Sequence, residues 1–229
     1  MAKLDSVFRY QGTFKKVTRV NSNTWGDHIR AARGTYKKAE LNDGFRKSGA
    51  ETKIANMLAK TIKDLYLPYM QDFKDSMMWS RLLSIFKLQL SRNQHDPSKL
   101  EEFEFNNNAL RHLIMRREVE ASIDNSTLQL AVTSRCVSKL PMTDSYQQTF
   151  VVTFYTNRLE GIGTALADSV IHPRGGEAWY DHRASFEIPD DASLAMVGLK
   201  AVLIHRGKVV HVAEGGMNIV KVLDMGLDK

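Results

Sequence analysis

The chain reads as an α+β protein, with an N-terminal extended arm and a two-helix segment followed by an antiparallel, immunoglobulin-like β-sandwich. Three observations predict this. Apolar residues recur at helical spacing between residues 48 and 95. Beyond residue 117, about seven short runs rich in β-branched and aromatic residues alternate with turn-forming segments, the pattern of a sandwich. The charge is also split: residues 1–95 hold 18 Lys/Arg against 8 Asp/Glu, and residues 96–229 hold 14 against 18. Such asymmetry fits an anionic partner for the front half, or contact between oppositely charged parts of neighbouring copies.

Four segments follow. Residues 1–47 form a basic extended arm. Val7-Phe8-Arg9-Tyr10 and Thr13-Phe14-Lys15-Lys16-Val17-Thr18-Arg19-Val20 have strand character, and Gly12, Asn21-Ser22-Asn23, Gly26 and Asn42-Asp43-Gly44 read as turns. With little core of its own, the arm is expected to order against a partner. Residues 48–95 are helical. Ser48 and Glu51 match a capping box, and Ile54, Met57, Leu58, Ile62 and Leu65 make one apolar stripe that Pro68 ends. A second helix is expected over 71–92. Its stripe of Phe73, Met77, Leu82, Ile85, Phe86 and Leu90 is widened by Trp79, Leu83 and Leu88, so it needs burial on more than one face.

Residues 96–117 read as a linker and short helix, and residues 118–229 as the immunoglobulin-like sandwich. Its expected strands are Glu118–Ile123, Leu128–Thr133, Thr149–Tyr155, Ala184–Ile188, Val197–His205, Lys208–Ala213 and Asn218–Leu223, with Thr164–Ile171 a strand or a short helix. A hairpin about Arg206-Gly207 pairs Ile204 with Val209 and Leu203 with Val210. Both faces of that ribbon are apolar, so something covers it, and the helix over 71–92 is the economical candidate.

Composition narrows the function. With 43% hydrophobic and 25% charged residues, the 229-residue chain is long and apolar enough to fold around a core. The single cysteine, Cys136, excludes an internal disulfide and a multi-cysteine metal centre, and suggests a reducing compartment. No apolar leader follows Met1 and no run of about 18 apolar residues occurs, so neither a secretory signal nor a membrane span is expected. A cytoplasmic location is the corresponding expectation.

In the arm, Arg9, Lys15, Lys16, Arg19, Arg30, Arg33, Lys37 and Lys38 interleave with Phe8, Tyr10, Phe14 and Trp25. Cations neutralise phosphates and aromatic rings stack on unpaired bases, so these cations are candidate nucleic-acid contacts. The competing reading makes the arm a subunit-binding element. Phe8, Tyr10, Phe14, Trp25, Trp79, Leu83, Leu88, Ile204 and Val209 are then the candidate partner contacts.

Asp168, His172, Asp181 and His182 offer metal-ligand chemistry without a metal-site spacing, and Arg135-Cys136 is not accompanied by a catalytic set. Glu160-Gly161-Ile162-Gly163 lacks the remainder of a phosphate loop, and Glu101, Glu102 and Glu104 read as a solvated acidic face. Neither an enzyme nor a cofactor or metal is expected. A further alternative is a carbohydrate- or peptide-binding module using Trp179 and Tyr180 in the loops about Asp168–Arg183.

Phe103-Glu104-Phe105-Asn106 and Gly215-Gly216-Met217-Asn218-Ile219-Val220-Lys221-Val222, in a chain ordered as basic arm, helices and sandwich, resemble families of uncharacterised Bacteroidetes proteins of about this length. The resemblance implies the fold and transfers no activity or site residue. The expected function is that of a non-enzymatic structural or assembly protein, a subunit of a homo-oligomer or of a larger, phage-like particle. Its partners would be copies of itself or other assembly subunits, with nucleic acid as the alternative.

Overall fold

The computed structural model describes residues 12–22, 24, 26–32, 42–70, 73, 75–94, 96–107, 109, 115–137, 143–156, 159, 164–173, 178–210 and 215–225. It divides into two compact units, Met1–Arg46 and Lys47–Lys229.

The first unit contains a three-stranded antiparallel meander: β1 (Gly12–Phe14), β2 (Val17–Ser22) and β3 (Gly26–Ala31), in that order. Lys15 takes a left-handed φ of 54° in the β1–β2 turn, and Gly26 takes 68° where β3 begins. The expected arm is therefore a paired sheet where it is described. The strand-forming Thr13–Val20 run folds back on itself, β1 on β2, and β2 pairs in turn with β3. Phe8, Arg9, Tyr10, Trp25, Arg33, Lys37 and Lys38 lie outside the described residues.

Helix α1 spans Asp43–Tyr66, starting before the Ser48 capping box. The Asn42 side-chain oxygen accepts from the Phe45 amide at 2.9 Å, so Asn42 is the effective cap. A 3₁₀ turn, Leu67–Tyr69, with Pro68 in its first turn, follows α1. Helix α2 (Met78–Ser91) begins later than its apolar pattern suggested. The Asp75 carboxylate accepts from the Met77 amide at 2.7 Å and pairs with Arg81, which fixes the entry to this helix. The expected linker carries a 3₁₀ turn at Pro97–Leu100, capped by Asp96.

The sandwich has β4 (Met115–Asp124), β5 (Thr127–Cys136), β6 (Ser145–Tyr155), β7 (Thr164–Pro173), β8 (Tyr180–Glu187), β9 (Leu194–His205), β10 (Lys208–Val210) and β11 (Gly216–Asp224). Thr164–Ile171 is thus strand. One sheet is ordered β4-β5-β8. The other is ordered β10-β9-β6-β7, with β11 sharing the β10 side of β9. All pairings are antiparallel. The first, second and fifth strands thus face the third, fourth, sixth and last, as in an immunoglobulin-like Greek key.

The side chains of β6 and β9 alternate between two cores. Phe150, Val152, Val197 and Leu199 meet Leu128, Leu130, Val132 and Phe186 between the sheets. Val151, Tyr155 and Met196 turn the other way, onto Leu58, Ile62 and Tyr66 of α1 and Leu82 and Phe86 of α2. The apolar surplus of β9 is therefore enclosed within the chain as the middle layer of helices, sheet and sheet. This corrects one candidate contact: Ile204 is 5% exposed and offers no surface to a partner. Along β11, a strap closes the free edge. The Phe105 amide donates to the Met217 carbonyl and the Ile219 amide to the Phe103 carbonyl, each at 2.9 Å, while both phenylalanines enter the helix-side core. Among the described residues no helix is long and apolar enough to cross a membrane.

Candidate functional site

A polar chain runs through the sandwich interior toward the open side formed by β7 and β8. Strand register puts Ser134 on β5, Tyr146 and Gln148 on β6, His172 and Asp168 on β7, and Tyr180 and His182 on β8. Ser134 Oγ donates to Gln148 Oε1 at 2.7 Å and lies 3.2 Å from the Tyr146 hydroxyl. The Gln148 amide nitrogen is then left to donate to His182 Nδ1, at 3.2 Å. This assigns the His182 proton to Nε2, which faces Asp168 Oδ2 at 2.7 Å. The composition is that of a serine–histidine–aspartate set. Gln148, however, separates the serine from the imidazole, and Ser134 and Gln148 are both fully buried. No substrate carbonyl can reach Ser134, so the chain works as a polar brace.

His172 lies beside this chain. Its ring sits 5.3 Å from Tyr146 and stacks on Tyr180 at 5.2 Å and 25°. Its Nε2 is buried without a hydrogen-bond partner. Burial, and secondarily the neighbouring His182, hold its pKa below the ordinary 6.5. Asp168 and His182 are committed to each other, and among the described residues no three His, Cys, Asp or Glu side chains gather as metal ligands. Tyr146 is pushed above the ordinary tyrosine range by burial, partly offset by Ser134.

Of the three glutamates read as a solvated face, Glu101 and Glu102 are exposed and Glu104 is half-buried, and each also has a partner. Glu101 accepts from the Val222 amide at 3.0 Å, Glu102 from Asn218 at 3.2 Å, and Glu104 lies 4.0 Å from Arg81. Glu102 also meets Arg117 at 3.7 Å. Burial pulls the Arg117 pKa down, and Glu102 partly restores it. An open groove of about 570 Å³ lies between α2 and this segment, lined by residues including Met77, Arg81, Lys99 and Phe103. Arg81 is held in it by Asp75 and the Glu104 carbonyl, and its guanidinium lies 5.7 Å from the Phe103 ring.

In the meander, register places Phe14, Val17, Arg19, Ile29 and Ala31 on one face, and Thr13, Thr18, Val20, His28 and Arg30 on the other. The candidate cations Arg19 and Arg30 therefore point to opposite sides, while Lys15 and Lys16 sit together in the β1–β2 turn. Phe14 is 65% exposed, with Lys15 Nζ 5.5 Å from its ring, and Val17 is exposed beside it. Of the other candidate contacts, Trp79 and Leu83 are half-buried against the helix-side core, Leu88 is exposed and Val209 is half-buried. Trp179 is exposed, with the Arg135 guanidinium 5.4 Å from its ring.

The fold thus defines a helix-braced, β-sandwich-like α+β protein. No family model and no curated protein matches the chain. It is similar in structure to CsgH from R. palustris, at 10% identity over 42% of this chain and 86% of that one, TM-score 0.26. A DUF3823 family protein from Bacteroides ovatus matches at 11% identity over 48% and 55%, TM-score 0.30. The alkylpurine DNA glycosylase AlkC of Pseudomonas fluorescens matches at 11% over 74% and 46%, TM-score 0.30. At these scores the similarities assign neither family nor activity.

Proposed function

We propose that the protein is a non-enzymatic assembly protein that acts through protein–protein contacts, with its N-terminal sheet engaging a neighbouring subunit. The supporting observation is the exposed apolar pair Phe14 and Val17 of the meander, next to the cationic Lys15–Lys16 turn. A small sheet gains stability by burying one face, and burying a Phe or Val side chain contributes about 1.5–3 kcal/mol. The Lys47–Lys229 unit, by contrast, encloses both faces of its central strand β9. Its candidate contacts therefore reduce to surface positions such as Leu88.

Sedimentation of the full chain across the micromolar range tests this reading. Assembly is expected, together with dissociation of the Phe14→Ser/Val17→Ser double variant at an unchanged melting temperature of the Lys47–Lys229 unit. A wild-type chain that stays monomeric throughout would overturn it. A nucleic-acid reading draws on the same spot, because an exposed ring flanked by two lysines suits an unpaired base. It predicts oligonucleotide binding that weakens steeply with salt and is lost in Lys15→Ala/Lys16→Ala.

A further inference from the structure

We propose that the β7–β8 seam is a proton-operated latch, closed while His172 is neutral and released when its imidazole takes up a proton. Among the described residues β7 pairs with β6 and β8 with β5, so side chains hold these two edges together. They are the His182–Asp168 contact at 2.7 Å, the His172–Tyr180 stack at 5.2 Å, and the packing of His182 against Phe150 at 4.9 Å.

The surroundings favour a neutral His172 ring. Facing the two histidine rings are Ser134 from β5, Tyr146, Gln148 and Phe150 from β6, Asp168 from β7, and Tyr180 from β8, with Cys136 beside Tyr146. Of the nearby carboxylates, Asp168 is already bonded to His182. Asp181 accepts from Thr133 at 2.8 Å on the outer face, and Asp144 accepts from the Arg206 amide at 3.2 Å. His205 lies at the end of β9, two residues beyond Leu203, which pairs with Tyr146. A proton on His172 Nε2 would thus be buried with no acceptor and no counter-charge of its own.

The sign follows from linkage. A released His172 protonates near its ordinary 6.5 and the latched one resists, so closure is fully favoured above that pH and weakens as pH falls through and below it.

Hydrogen–deuterium exchange on the full chain, corrected for the intrinsic pH dependence, reads the latch directly. Between about pH 7.5 and about pH 5.5, protection of the β7 amides is expected to fall about tenfold while the β6–β9 ladder keeps its own. His172→Phe retains the stack without a titrating nitrogen and is expected to abolish the difference. Equal protection at the two pH values, or a difference that persists in a folded His172→Phe, overturns the proposal. Should that variant not fold, NMR titration of the wild-type imidazoles decides. Displacement of His172 below 6.5 supports the latch, and an ordinary midpoint overturns it.

Discussion

Tyr66→Ala is expected to cost the Lys47–Lys229 unit about 3–5 kcal/mol, the range for removing a large aromatic from a packed interior. Tyr66 is the last residue of α1 and fully buried. Its ring lies 4.6 Å from that of Phe105, which joins the helix to the strap along β11. Its hydroxyl donates to the Met196 carbonyl and accepts from Thr153 Oγ1, each at 3.1 Å. Burial, reinforced by Tyr155 and partly offset by Thr153, holds its pKa well above the ordinary 10.0, so the hydroxyl remains a donor. One side chain therefore ties helix, strap and central sheet together.

Tyr66→Phe keeps the ring and loses only the hydroxyl. Thr153 still has Tyr155 at 3.0 Å and Met196 at 3.4 Å, so the expected loss is smaller, about 1–2 kcal/mol. Urea denaturation of the three proteins measures both differences. A loss in Tyr66→Ala no greater than in Tyr66→Phe would show that the ring is not the clamp described.

How much of this was legible depends on the range over which each feature is encoded. Local periodicity located α1, α2 and the strands, because burial of one face leaves a repeat in the residues themselves. Boundaries were less legible. Asn42-Asp43-Gly44 has turn composition, yet Asn42 caps a helix that runs through Gly44 and Ser48. The same residue types serve turns and helix starts, so composition does not separate the two. The apolar excess of β9 was visible but carried two meanings. A strand buried on both faces and a strand awaiting a partner have the same sequence, and only the packing of α1 and α2 decides between them. The polar chain was beyond reach, because Ser134, Gln148, Asp168 and His182 sit on four different strands and meet through register alone. Asp168, His172 and His182 stood out by residue type, without the pairing that gives them their roles.

Gly198→Ala is expected to be clearly destabilising, although it adds only one methyl group. Gly198 lies in β9, paired with Val151 of β6 and Ile219 of β11. A Cβ there would stand 2.8 Å from Tyr66 Cε1, 3.0 Å from Met217 Cε and 3.3 Å from the Val151 carbonyl oxygen. Met217 can swing its methyl aside. Tyr66 cannot yield so easily, because its hydroxyl is bonded twice across the same strand region. Nor can β9 retreat without disturbing the ladders on both its sides. Overpacking of this kind costs about 1–3 kcal/mol, or roughly 2–4 °C of melting temperature per kcal/mol for a unit of this size. A double-mutant cycle identifies the cause. In the Tyr66→Ala background the added methyl enters vacated space, so its penalty should largely vanish, giving a coupling of about 1–3 kcal/mol. Additive losses would place the strain elsewhere, in the backbone of β9 itself, and would deny that the absence of a side chain at Gly198 is what lets Tyr66 seat the helices on the sheet.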